Sequence, residues 1–332
     1  MVIETNTLSY WLNWRFFLCA LFLASIMVVA AVLIWTYEGF KRRKSESGDD
    51  SQDSVGSLYE DEFWRTCLKG IHPAWLLAYR MLAFAVLLAL IIGDAVVSGG
   101  GIFLFYTQWT FTLVTLYFGL ATSFSIYGCC RKCNNSGSST ECTSLDAERG
   151  TYVPPTLGDG SPDVSNTAKG SDSHEDFHTR KAAGVGGYAF QIIFQTSAGA
   201  VVLTDIVFWF ILYPYLLSQN RGLSFFIVTM HSVNAVCLLG ETILNGLRYP
   251  FFRIGYFVMW TGIFVLFQWI LHACVSMPWP YPFLELSTPY APLWYAGVGL
   301  MNIPCFGAFA LVIRMKQSLL QRLFPESFQG SS

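Results

Sequence analysis

The chain has 332 residues, 53% of them hydrophobic and 17% aromatic, against only 13% charged. A soluble domain carries about a quarter charged residues, so this composition excludes an ordinary water-soluble globule. A net charge of −2 leaves no basic excess for nucleic acid. Nine cysteines, several inside apolar runs, do not make the evenly spaced framework of a small secreted domain.

In chain order, seven stretches hold the roughly 20 apolar residues that a helix needs to cross a ~30 Å hydrocarbon core. They are 15–36, 74–97, 102–128, 187–217, 223–245, 254–277 and 292–314. The first is too long for a cleaved signal peptide, and Lys41-Arg42-Arg43-Lys44 behind it form a stop-transfer pattern. The expected fold is all-α, a multi-pass transmembrane bundle of seven spans. Of the 20 Lys and Arg residues, all but Arg15 and Arg221 fall on one side if the amino terminus lies outside. Positive residues resist translocation, so the carboxyl terminus is expected in the cytosol. The membrane would be the plasma membrane or one of the secretory pathway.

The chain divides into 1–44 (first span and stop-transfer), 45–73 (cytosolic linker), 74–128 (spans two and three), 129–186 (second linker), 187–314 (spans four to seven) and 315–332 (tail). Both linkers are rich in Ser, Gly and Asp and read as disordered. Residues 63–73 are expected to form a short interfacial helix with Trp64 and Leu68 among the headgroups. Residues 314–324 read as a second one, with Leu319, Leu320 and Leu323 toward lipid and Arg314, Lys316 and Arg322 toward anionic headgroups.

Cys129, Cys130 and Cys133, beside basic residues below the third span, fit reversible palmitoylation. A zinc site joining Cys130, Cys133, Cys142, His174 and His178 has ligand-like pairs, but 40 residues separate Cys133 from His174 where a finger has about 12–15. No nucleotide fingerprint and no H-E-x-x-H occur, so neither cofactor nor metal is expected.

Polar groups inside the spans are costly in hydrocarbon and mark either helix contacts or function. His231, Asn234, Leu238, Glu241 and Asn245 recur at spacings of three and four, which places them on one helical stripe. That stripe must face inward. At ~1.5 Å per residue, Thr110 and His231 both lie ~12 Å below the outer ends of their spans. A neutral imidazole can take the proton of a Thr hydroxyl as it attacks an acyl carbon. Thr107, Thr112, Thr115 and Ser232 compete with Thr110 for that role. Asp205 falls deeper, near the bilayer centre.

These segments resemble the androgen-induced and rolling stone family of membrane proteins. WILHACVSMPWPYPFLE (269–285) resembles its penultimate-span signature, FLFYTQWTFTLVTLYFG (103–119) its threonine-bearing span and TMHSVNAVCLLGE (229–241) its histidine-bearing span. HPAWLLAYR (72–80) is similar to the rolling stone branch. The resemblance covers six spans; the first span and the second linker are additions. It implies an intramembrane threonine hydrolase acting on fatty-acid esters, with Thr110 as nucleophile and His231 as base. Asn234 and His272 are possible orienting groups, and membrane lipids are the partners. The rolling stone branch is associated instead with fusion and development, which keeps open a non-catalytic scaffold or trafficking factor. A transporter with Asp205, Glu241 and His231 as proton path is the third reading, disfavoured by the absence of paired broken helices or repeated halves in the sequence.

Overall fold

The computed structural model of the protein describes residues 5–39, 59–148, 183–219 and 222–329. Most of the first linker and residues 149–182 of the second, with His174 and His178, lie outside the described residues. Seven helices are long and apolar enough to cross a membrane: Trp14–Glu38, Pro73–Ser98, Tyr106–Arg131, Val185–Ser218, Phe225–Leu244, Phe251–Cys274 and Ala291–Leu323. They match the seven expected stretches to within a few residues, apart from the longer seventh, and no strand occurs among the described residues. The chain is a multi-pass helical membrane protein.

The fourth span is the axis of the bundle, packing against the third, fifth, sixth and seventh. Residues 194–201 are buried on every side. Ser197, Ala198, Gly199 and Ala200 make this possible, because small side chains let helix backbones approach. A Cβ on Gly199 would lie 2.6 Å from the Phe257 ring. One core cluster joins spans two, three, four and five around Phe111, Tyr117, Phe190 and Phe194. A second joins spans one, four, six and seven around Cys19, Leu203, Phe257 and Phe306. The first span is peripheral and rests on glycines of the sixth and seventh: Gly255 meets Ala30, Gly262 meets Met27 and Gly299 meets Phe22. Large apolar side chains exposed along the outer faces meet lipid, and Trp14, Trp35 and Trp75 stand exposed at span ends, where interfacial tryptophans collect.

Four local features differ from expectation. Residues 64–72 are not helical; a 3₁₀ turn at Glu60–Phe63 leads into irregular chain. Thr66 Oγ1 donates to the carbonyls of Leu68 and Ile71, while the amides of Cys67 and Lys69 donate to the carbonyls of Leu244 and Ser327. The backbone groups of this segment therefore satisfy distant partners, and it caps one end of the bundle rather than lying free on the membrane. The tail is not a separate interfacial helix either, since the seventh helix continues unbroken to Leu323. The third helix likewise runs on to Glu148, twenty residues past the expected start of disordered linker; propagating an existing helix avoids the cost of a new nucleus. The fourth difference concerns the fifth span, which is broken at His231 and Ser232 into Phe225–Met230 and Val233–Leu244.

At the linker end, Arg80 is fully buried and holds the bundle together. Its Nε donates to both oxygens of Glu241, its Nη1 to the Phe63 carbonyl and to Ser125, and Tyr117 donates to the same carboxylate. One guanidinium thus ties the cap to spans two, three and five.

Candidate active site

The break in the fifth span is compensated locally. Trp209 Nε1 donates to the His231 carbonyl at 3.2 Å, and the Ala235 amide is taken by Asn234 Oδ1 at 2.8 Å. Trp209 belongs to a π-helical turn, Phe208–Leu212, in the fourth span. Such turns concentrate at functional sites. Here the turn presents Phe208 and Trp209 to His231, while Asp205, one turn earlier, reaches the same imidazole.

His231 is buried and sits between two partners. Nε2 lies 3.4 Å from Thr107 Oγ1, and Nδ1 lies 3.5 Å from Asp205 Oδ1. The second contact is an ion-pair distance rather than an aligned hydrogen bond, because both atoms lack a well-directed partner. Nε2 is thus the ring nitrogen that faces the Thr107 hydroxyl, and Nδ1 the one that faces the carboxylate. Tyr281 comes from the loop after the sixth span. Its hydroxyl accepts from the Tyr106 amide at 2.9 Å and bonds to the Thr107 side chain. Burial pushes the Tyr281 phenol up to about 12.

Thr107, Thr204, His231, Thr261 and Tyr281 share a cavity of about 50 Å³ with apolar residues such as Leu203 and Phe264. One water needs ~10–15 Å³ of such space, so several waters or a small functional group fit. A second cavity of about 30 Å³ borders it, sharing Thr261, Val265, Phe283, Leu284 and Val298, and is walled by Phe22, Leu23 and Ile26 of the first span.

Thr110 lies one turn deeper on the same face and is completely buried. Its hydroxyl accepts from Thr204 Oγ1 at 3.3 Å, so the imidazole faces Thr107 rather than Thr110. Asn234 caps the helix break and does not orient the ring. His272 stacks on Trp279 at 3.8 Å and holds the Gln268 carbonyl at 2.8 Å; it is not among the residues lining the chamber. Glu241 is bound to Arg80, ten residues along the stripe from His231, which separates it from the Asp205–His231 pair. The inward stripe itself is present: Asn234, Leu238, Glu241 and Asn245 are all buried.

At the linker end of the third span, Cys130 and Cys133 are exposed free thiols and Cys129 is half-buried. Among the described residues no group of three or more His, Cys, Asp or Glu is placed to hold a metal. No family model, curated protein or solved structure matches this chain. The fold defines a multi-pass membrane protein, in which the Thr107 hydroxyl and the His231 imidazole line one small cavity and the Asp205 carboxylate stands on the far side of the imidazole.

Proposed function

We propose that the protein is an intramembrane hydrolase of lipid acyl esters, related to the androgen-induced and rolling stone family. The observation that carries this reading is the line Thr107–His231–Asp205, a nucleophile, base and orienting acid in sequence. The fatty substrate enters sideways from the bilayer. Thr107 attacks the ester carbonyl while Nε2 of His231 takes its proton, and Asp205 stabilises the resulting imidazolium. Tyr281 donates to the developing oxyanion. The imidazolium returns the proton to the departing alkoxide, leaving an acyl-threonine and an alcohol. Water activated by the same imidazole then releases the fatty acid and restores the hydroxyl. By the basic asymmetry, the chamber lies toward the lumen or exterior and the linkers lie in the cytosol.

The experiment is labelling of purified full-length protein by a fluorophosphonate, together with hydrolysis of a long-chain ester in detergent. Labelling abolished in Thr107→Ala and in His231→Ala, with the melting temperature kept, is the expected result. Loss in Thr110→Ala with Thr107→Ala unaffected moves the nucleophile to the residue that the family resemblance implies. No labelling and no turnover by the parent protein would leave a scaffold, and proton or solute flux in liposomes a transporter.

A further inference from the structure

A larger cavity lies at the opposite end of the bundle from His231 and plays no part in the chemistry above. There the capping segment 61–72 folds over the ends of spans two and three and borders an open cleft of about 840 Å³. That volume falls in the range of pockets that take up whole small ligands. Trp64, Arg65, Lys69, His72, Leu77 and Gln329 are among its walls.

The charges facing it are Arg65, Lys69 and Asp61. Arg65 is divided between Asp61, at 3.2 Å, and the Gln329 side chain, so its charge is largely balanced. Lys69 is exposed and makes no ion pair with the described residues. His72 Nδ1 accepts from the Ala74 amide at 3.2 Å, which leaves Nε2 free as a second polar group at the rim. The second span starts at Pro73 beside the cavity, and the positive end of its dipole adds to the Lys69 charge.

Depth identifies the ligand. Trp75, two residues into the span, is 71% exposed, the setting of an interfacial tryptophan. The cavity is therefore level with the lipid headgroups, with cations at its rim and Leu77 on its membrane side. We propose that it binds the phosphate of an anionic phospholipid headgroup, whose chains run down the outer face of the second span past Leu77. Lys69 supplies the principal charge. Basic pockets between spans at the anionic leaflet are suited to such headgroups.

The test uses full-length protein in neutral detergent, with bound lipid counted by native mass spectrometry. Dioleoyl phosphatidylglycerol should be retained and dioleoyl phosphatidylcholine should not. Lys69→Gln should lower retention about fivefold, the worth of one cation near an anionic surface, and Lys69→Arg should restore it. Arg322→Gln removes another exposed cation of this end and should change nothing. Equal retention by the parent and Lys69→Gln, or equal retention of the two lipids, would overturn the proposal. Complete displacement by millimolar inorganic phosphate would also overturn it, in favour of a free-anion site.

Discussion

The imidazole of His231 lies flat on the ring of Phe208, with centroids 3.8 Å apart and planes 6° from parallel. Stacking fixes the ring plane, and Asp205 Oδ1 stands 3.5 Å from Nδ1 at the ring's edge. Asp205→Asn should leave the fold intact and lower ester turnover on the order of 10²–10⁴-fold, the usual worth of a working acid–base group. Phe208→Leu frees the plane and should cost about 10²-fold, read in kcat more than in KM. Unchanged turnover in both variants would remove this imidazole from the reaction.

Arg80 and Glu241 are both fully buried. Removing one partner strands the other, so Arg80→Met or Glu241→Leu should each destabilise by about 3–5 kcal/mol. The double variant should recover much of that loss, because no unpaired charge remains. Melting temperatures of the three proteins in one detergent decide this, and strictly additive losses would contradict it.

The cap is seated through glycine. A Cβ on Gly128 would lie 2.2 Å from the Trp64 indole, and one on Gly187 would lie 2.0 Å from the Phe63 ring. Gly128→Ala should cost about 1–3 kcal/mol by overpacking. Trp64→Leu made in the Gly128→Ala background should relieve it, a coupling that a double-mutant cycle measures.

Tyr281 gives a pH dependence of definite sign. Its folded phenol is held up to about 12, above the ordinary value of 10.0, so the unfolded chain loses this proton first. The contribution is complete below pH 10 and fades as pH rises toward 12. The stability difference between the parent and Tyr281→Phe should therefore shift against the parent between pH 9 and pH 11.5. A constant difference across that interval would contradict the assigned burial.

The spans were legible because an apolar run of twenty residues has no other common use. The interior stripe of the fifth span was legible for a similar reason, since four polar side chains on one face cannot meet lipid. The break at His231 was not. Neither Gly nor Pro marks it, and it depends on the Trp209 indole reaching across from another helix. The Asp205–His231 contact at 3.5 Å was not legible either, because counting residues along a fourth span of 34 residues does not tell which turns of two helices meet. The choice between Thr107 and Thr110 turned on where the third helix begins. Residues 100–104 form a 3₁₀ turn after Gly99 at φ +76°, which delays the helix to Tyr106 and changes which hydroxyl is level with the imidazole. The Arg80–Glu241 pair spans 161 positions, and no local pattern encodes it.

The first span is made long before the surfaces it rests on. Met27 must wait for Gly262, and Phe22 for Gly299, so during synthesis this segment dwells in the bilayer without company. It is the most apolar of the seven and among the least buried. Its composition is that of a helix obliged to be at home in lipid from the outset, joining its companions only after the last of them has emerged.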